Sequence, residues 1–393
     1  MDRTLYIHAG RLITPRSELH DVTIVAREGT ILDILPGAIP APDGEPFLEA
    51  GSHIVGPGLI DLHVHGGGGH DTMDGIPQAL LGLSAFHARH GTTALLPSTV
   101  AASAEQIDWV LAAFPSAMAA PGQGARILGA HVEGPFLNPA KRGAHLARYV
   151  RAPAEPPELW LEAHRAAIRR LTLAPELPGA LELTKALRRQ GVLVSIGHST
   201  ADEEMVARSA LAGATHVTHL FNAMTTMEKV GALRRAGLAE AALASDEMTV
   251  EVIADGWHVP FSVLKLVVRA KGPERVALVT DAMRAAGLPA GRYDLGGMGV
   301  TVQDGHAITD EGGLAGSIAT MSELLRNAVH RVGIPLANAW RMCSLTPAQI
   351  LGESNRLGQV AVGHAADLLV LDDDLQVVAT IVDGHIVYER GKG

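Results

Sequence analysis

Short apolar runs alternate with helix-patterned stretches through the middle of the chain, and eight such units fit the ~250 residues that eight βα pairs need. Both ends read instead as short strands broken by turn residues. These two observations predict an α/β protein: a (β/α)8 TIM-type barrel with a small β-sandwich domain formed by both termini. The expected division is 1–54 and 357–393 for the small β domain and 55–356 for the barrel.

The amino-terminal strands are expected in LYIHAGRLITP, DVTIVAREGTILDILPG and PFLEAGSHIV. The carboxy-terminal stretch ADLLVLDDDLQVVATIVDGHIVYERG has the same character, with Asp383-Gly384 as a hairpin turn. Apart, the two ends would each leave a small, poorly buried sheet, so one shared domain is the better solution. In chain order the eight central strands are GLIDLHVH, TALLPST, RILGAHVEG, LTLAPE, VLVSIGHS, HVTHLF, MTVEVIAD and RVALVTDA. Helices are expected between them, in QALLGLSAFHARH, ALELTKALRRQ, EMVARSALAG and PFSVLKLVVRA. A doubly wound sheet fits less well, because no G-x-G-x-x-G frame follows the first strand. The glycine run 66–69 lacks the Lys and Ser/Thr of a phosphate loop and reads as a flexible βα loop.

Bulk chemistry narrows the partners. The 393 residues are 47% hydrophobic, enough for a large core. Acidic residues outnumber basic ones, 42 to 32, without long runs of either sign, which argues against nucleic-acid or membrane partners. The single cysteine, Cys343, excludes an internal disulfide and a Cys-type zinc site. The first residues carry charges and lack a long apolar stretch, and no apolar run approaches the ~20 residues of a membrane helix. The expectation is a soluble cytoplasmic globular protein.

Catalytic side chains of such a barrel project from the carboxy-terminal ends of its strands. There the sequence offers His63 and His65, then Glu133, His198, His219 and Asp281. Imidazole nitrogens and carboxylate oxygens are the donors that a divalent zinc or iron ion takes. His63 and His65, two apart on a strand, face the same side and either pinch an ion or merely line the barrel. His131 lies one layer below Glu133. His216 and His219 face opposite ways, and His219 is nearer the strand end. Asp281 suits either a helix N-cap or a general base. The fourth strand has no lysine to bridge two ions, which leaves Glu133 as the bridging carboxylate.

At these residues the chain resembles the amidohydrolase superfamily, and most closely its N-acetylglucosamine-6-phosphate deacetylase family. The likeness spans PGLIDLHVHG, GAHVEGPFLNPAKRGAH, SIGHSTA, THLFNAM, IADGWHV, LVTDAM, AGSIATM, SLTPAQILG and GHAADLLVLD. It implies that Glu133, His198 and His219 bind a divalent metal, zinc first and iron as the alternative. One ion is implied, with a second at His63 and His65 left open. It further implies that His145 polarises an acetamide carbonyl and that Asp281 is general base and then acid. Asn222 and Ala223 would offer backbone donors to a sugar phosphate, His258 would approach that phosphate, and Arg234 would reach it across a homodimer. The family run R-E-P-G-L is here Arg234-Arg235-Ala236-Gly237-Leu238. The implied reaction is hydrolysis of N-acetyl-D-glucosamine 6-phosphate to D-glucosamine 6-phosphate and acetate. The galactosamine isomer is one alternative. Another amidohydrolase activity, as in a D-aminoacylase, dihydroorotase or deaminase, is a second.

Overall fold

The computed structural model describes residues 3–14, 17–120, 122, 124–154 and 158–392. Met1, Asp2 and Pro15, part of the amino-terminal stretch considered above, lie outside them.

Strands from both ends of the chain share one sheet. Its seven strands run in the spatial order His385–Glu389, Val377–Val382, Leu368–Leu371, Phe47–Pro57, Leu5–Ile13, Glu18–Arg27 and Thr30–Pro36. Alternation puts Leu5, Ile7 and Ala9 on the inner face, where they meet Ile24, Ile31, Leu368 and Ile381 in one cluster. A bridge between Thr30 and Ala365 ties an edge strand back to the other half of the sheet. Where a sandwich was expected, the strands of the two ends form one seven-stranded sheet with a shared apolar cluster. Asp383 and Gly384, both with positive φ, make the predicted two-residue turn, and Val382 faces His385 across it.

The central strands are parallel. Leu59–Val64 pairs with Thr92–Pro97, and that strand with Arg126–Ile127. A second parallel sheet runs Ala130–Glu133, Ile168–Leu173, Leu193–Ile196, His216–Val217, Thr249–Val252 and Val276–Leu278. Parallel bridges Ser98–His131 and Val64–Ala282 join the two sheets at both edges. The expected third strand is split at Gly129, whose φ of 139° lets its halves serve different neighbours.

Helices between these strands start and stop on local signals. In Glu203–Ala212 the Asp202 side chain accepts the Met205 N–H, two glutamates occupy the first turn, and Gly213 ends the helix in the left-handed region. Helix Ala180–Arg189 buries Leu183 and Leu187 on one face, each contributing about 1.5–3 kcal/mol. No helix among the described residues is long and apolar enough to cross a membrane.

Two features depart from expectation. The 66–69 glycine run is an ordered ladder: Gly66–Gly67 pairs with His70–Asp71, and the Gly68 and Gly69 N–H groups donate to Ala286 and Arg284 carbonyls. An antiparallel sheet of Gly291–Leu295, Met298–Gln303 and His306–Thr309 was not anticipated. Its turn signal, Asp304-Gly305 with both φ positive, stands in the sequence.

Candidate metal centre

The strand ends deliver the predicted side chains to one pocket of about 480 Å3, which Glu133, His198, His219 and Asp281 line together with His65 and His145. His198, His219 and Asp281 all have positive φ, as do the neighbouring Phe221 and Ala223. Non-glycine residues rarely adopt that conformation, and such strain concentrates where a side chain must be aimed. Each of the three comes just after its strand, so the backbone twist turns it inward.

Glu133 is the hub. Its Oε1 lies 3.1 Å from both His198 Nε2 and His219 Nε2. Its Oε2 lies 3.3 Å from His63 Nε2 and 3.2 Å from His65 Nε2. Asp281 Oδ1 is 3.1 Å from His65 Nε2 and 3.4 Å from His63 Nε2. Among the described residues, two groups have donor atoms close enough to hold an ion, Glu133 with His198 and His219, and Glu133 with His63 and His65.

The donor set fits a divalent cation for a reason that can be read from the outer nitrogens. His63 Nδ1 donates to Glu251 at 2.8 Å, His65 Nδ1 to the Ser98 carbonyl at 3.1 Å, and His198 Nδ1 to the Lys141 carbonyl at 2.8 Å. Carboxylates and carbonyls only accept, so each ring keeps its proton outside and, when neutral, turns a bare Nε2 inward. Lone pairs crowded on a buried carboxylate need positive charge among them. Without an ion, protons fill that need. Burial opposes a charge on His65, but hydrogen bonds to Asp281 and Glu133 outweigh it and lift the ring to about 9. Burial likewise opposes ionisation of Asp281, yet the neighbouring His63 and His65 bring it down to about 2.

His145 behaves differently. Burial lowers it to about 4, against the pull of Glu133, so it is neutral near pH 7. The Ala101 N–H donates to its Nδ1 at 3.0 Å, which leaves the proton on Nε2, 3.6 Å from Glu133 Oε2. A neutral donor is thereby aimed into the pocket. His131 packs under the site between Ser98 Oγ and Thr172 Oγ1, and Ser199 donates to Glu176.

The other predicted residues spread more widely. Asn222, Ala223 and His258 line the same pocket, with His258 Nδ1 held by Asp255 at 2.7 Å. The Asn222 N–H donates to the His219 carbonyl at 2.9 Å. Arg234 is exposed on the hairpin Glu228–Val230/Leu233–Arg235, outside its own chain's pocket. Leu295, Thr309 and Glu311, on and beside the unanticipated sheet, complete the mouth.

The amidohydrolase family profile matches residues 54–387. An N-acetylglucosamine-6-phosphate deacetylase of Vibrio furnissii is 36% identical over 94% of this chain and 91% of that protein. An N-acetylgalactosamine-6-phosphate deacetylase from an Escherichia coli strain is 35% identical over 98% of this chain and 99% of its own length. Among solved structures, a Mycobacterium smegmatis N-acetyl-D-glucosamine-6-phosphate deacetylase variant in complex with N-acetyl-D-glucosamine-6-phosphate has a TM-score of 0.88 at 33% identity, covering 98% of this chain and 99% of that one. The chain belongs to the amidohydrolase family and groups with its N-acetylglucosamine-6-phosphate deacetylases.

Proposed function

We propose that the chain hydrolyses the acetamide of N-acetyl-D-glucosamine 6-phosphate, giving D-glucosamine 6-phosphate and acetate, as a cytoplasmic enzyme of amino-sugar catabolism and recycling. One observation carries the chemistry: His145, neutral and donating from Nε2, and Asp281, a carboxylate, flank the same Glu133–His198–His219 cluster. Near-full-length identity to deacetylases supports the substrate. The buried Cys343 thiol suits a reducing compartment.

Glu133, His198 and His219 would hold the ion, zinc first with iron as the alternative, and three protein ligands of this kind leave a position open. A bound divalent ion supplies a Lewis acid and a water that is nucleophilic near neutral pH. Asp281 would take the proton of the attacking water. The His145 Nε2–H donates to the carbonyl oxygen as it gains negative charge, where a prepositioned donor is worth most. Asp281 then returns the proton to the departing nitrogen as the C–N bond breaks. His63 and His65 offer a second ion a place on the other side of Glu133.

The Ala223 N–H and His258 serve the phosphate, and Arg234 of the partner subunit completes its cradle in a homodimer. The architecture that presents these groups is a closed (β/α)8 barrel, residues 55–356, with a β domain built from 1–54 and 357–393. The galactosamine isomer is the second reading, favoured by the 35% identity to the Escherichia coli enzyme. Acetate release from the two 6-phosphates and from both unphosphorylated sugars tests the assignment. The glucosamine derivative should have the highest kcat/KM, and preference for an unphosphorylated sugar would overturn it.

A further inference from the structure

Under the ligands lies a buried charged layer. Arg170 and Glu251, within strands Ile168–Leu173 and Thr249–Val252, are both fully buried. Arg170 Nη1 donates to Glu251 Oε2 at 2.6 Å and to the Leu62 carbonyl at 3.0 Å. Its Nε and Nη2 donate to Ser195 and Thr218, each at 2.9 Å. All of this seats one carboxylate. The Glu251 Oε1 atom then accepts the His63 Nδ1–H at 2.8 Å and the His219 backbone N–H at 3.1 Å, and Oε2 accepts His216 Nε2–H at 3.2 Å.

His63 belongs to one candidate ion group and His219 to the other. A single oxygen therefore reaches both. It fixes the proton of His63 on the outer nitrogen, and it pins the backbone of His219 where φ is a strained 29°. We propose that Glu251, seated on Arg170, is a positioning residue for the whole metal centre, holding ligands on both sides of Glu133. This inference rests on the metal-centre assignment made above.

Glutamine at 251 would offer one acceptor oxygen and an NH2 group that only donates, where four N–H donors now converge on two oxygens. At least one donor must then lose its acceptor. Outer partners of this kind are worth about 10- to 100-fold in metal affinity. A purely structural ion pair would lower stability and leave affinity alone.

Zinc affinity of the full chain, measured by competition with a chromophoric chelator, separates these cases when read beside ions per chain, the cobalt(II) absorption spectrum and the melting temperature without metal. Glu251→Gln should bind zinc about 10- to 100-fold more weakly and shift the cobalt spectrum. The double variant Arg170→Met/Glu251→Met removes both buried charges together, so that no unpaired charge stays buried, and should show the same weakened zinc binding. Val267→Ala, a core change in an outer helix, should lower the melting temperature with unchanged zinc affinity. Wild-type affinity in the double variant, or affinity that follows melting temperature across all three, would overturn the proposal. Absence of zinc from the wild-type chain would instead contradict the metal-centre assignment itself.

Discussion

His198 and His219 meet with their Nε2 atoms 3.0 Å apart, each 3.1 Å from the same Glu133 oxygen. The Lys141 carbonyl holds the outer proton of His198, and His219 Nδ1 has no hydrogen-bond partner among the described residues. Two imidazoles brought this close around a carboxylate are arranged for a cation rather than for each other.

Metal uptake should therefore displace protons. His65, raised to about 9 by its carboxylate neighbours despite burial, holds a proton at pH 7 that an ion at His63 and His65 must remove. Lower pH favours the protonated ring, so affinity on that side should rise as pH increases, by about tenfold per unit below 9 for each proton released. Calorimetric titration with zinc in buffers of different ionisation enthalpy counts those protons. A pH-independent affinity would contradict a protonated His65.

Replacing Asp281 with Asn should separate binding from turnover. Asp281 lies outside both ion-holding groups, so zinc content should stay near that of the wild type. Loss of a general acid–base should lower kcat by about 10²- to 10⁴-fold. Full activity in this variant would remove Asp281 from the mechanism.

His145→Ala should lower kcat by about 10²- to 10³-fold with little change in KM, because its Nε2–H acts on charge that develops during the reaction. A rise in KM at constant kcat would mean that His145 binds the substrate's ground state instead.

Arg234 gives a prediction about assembly. Arg234→Ala should raise KM for the phosphorylated sugar, and mixing it with Asp281→Asn should restore part of the lost activity. In such a mixed dimer one pocket has both an intact Asp281 and an arginine from its neighbour. No recovery from subunits shown to exchange would confine Arg234 to another role.

Acid stability should depend on His87. Its Nε2 donates to the Gly66 carbonyl at 3.0 Å, and burial lowers it to about 4. Between pH 6.5 and about 4 the unfolded chain binds a proton at this histidine that the folded chain does not. Stability should thus be full above pH 6.5 and fall through that window, by about 3 kcal/mol from this residue. His87→Gln keeps a donor for Gly66 and should flatten the decline in denaturant unfolding measured from pH 7 to 4. An unchanged slope would rule out His87 as its source.

The candidate site residues were legible in the sequence because they sit where apolar strands stop, as His198 does after LVSIG and Asp281 after ALVT. It did not single out Arg170 and Glu251, whose charges interrupt apolar strands without marking an end. A fully buried carboxylate must be paired, but only the structure shows that Glu251 is buried. The inward aim of His219 and Asp281 depends on left-handed backbone that local residue preference does not encode. The sheet at the pocket mouth had a legible turn at Asp304-Gly305, but its strands fall outside the βα alternation used to order the rest.

The most direct test of the central claim is acetate release from N-acetyl-D-glucosamine 6-phosphate by the chain stripped with a chelator and then supplied with zinc. The stripped protein should release no acetate, and activity should return in proportion to the zinc taken up. Undiminished turnover in protein shown to be free of metal, or none in the zinc-loaded chain, would contradict the account.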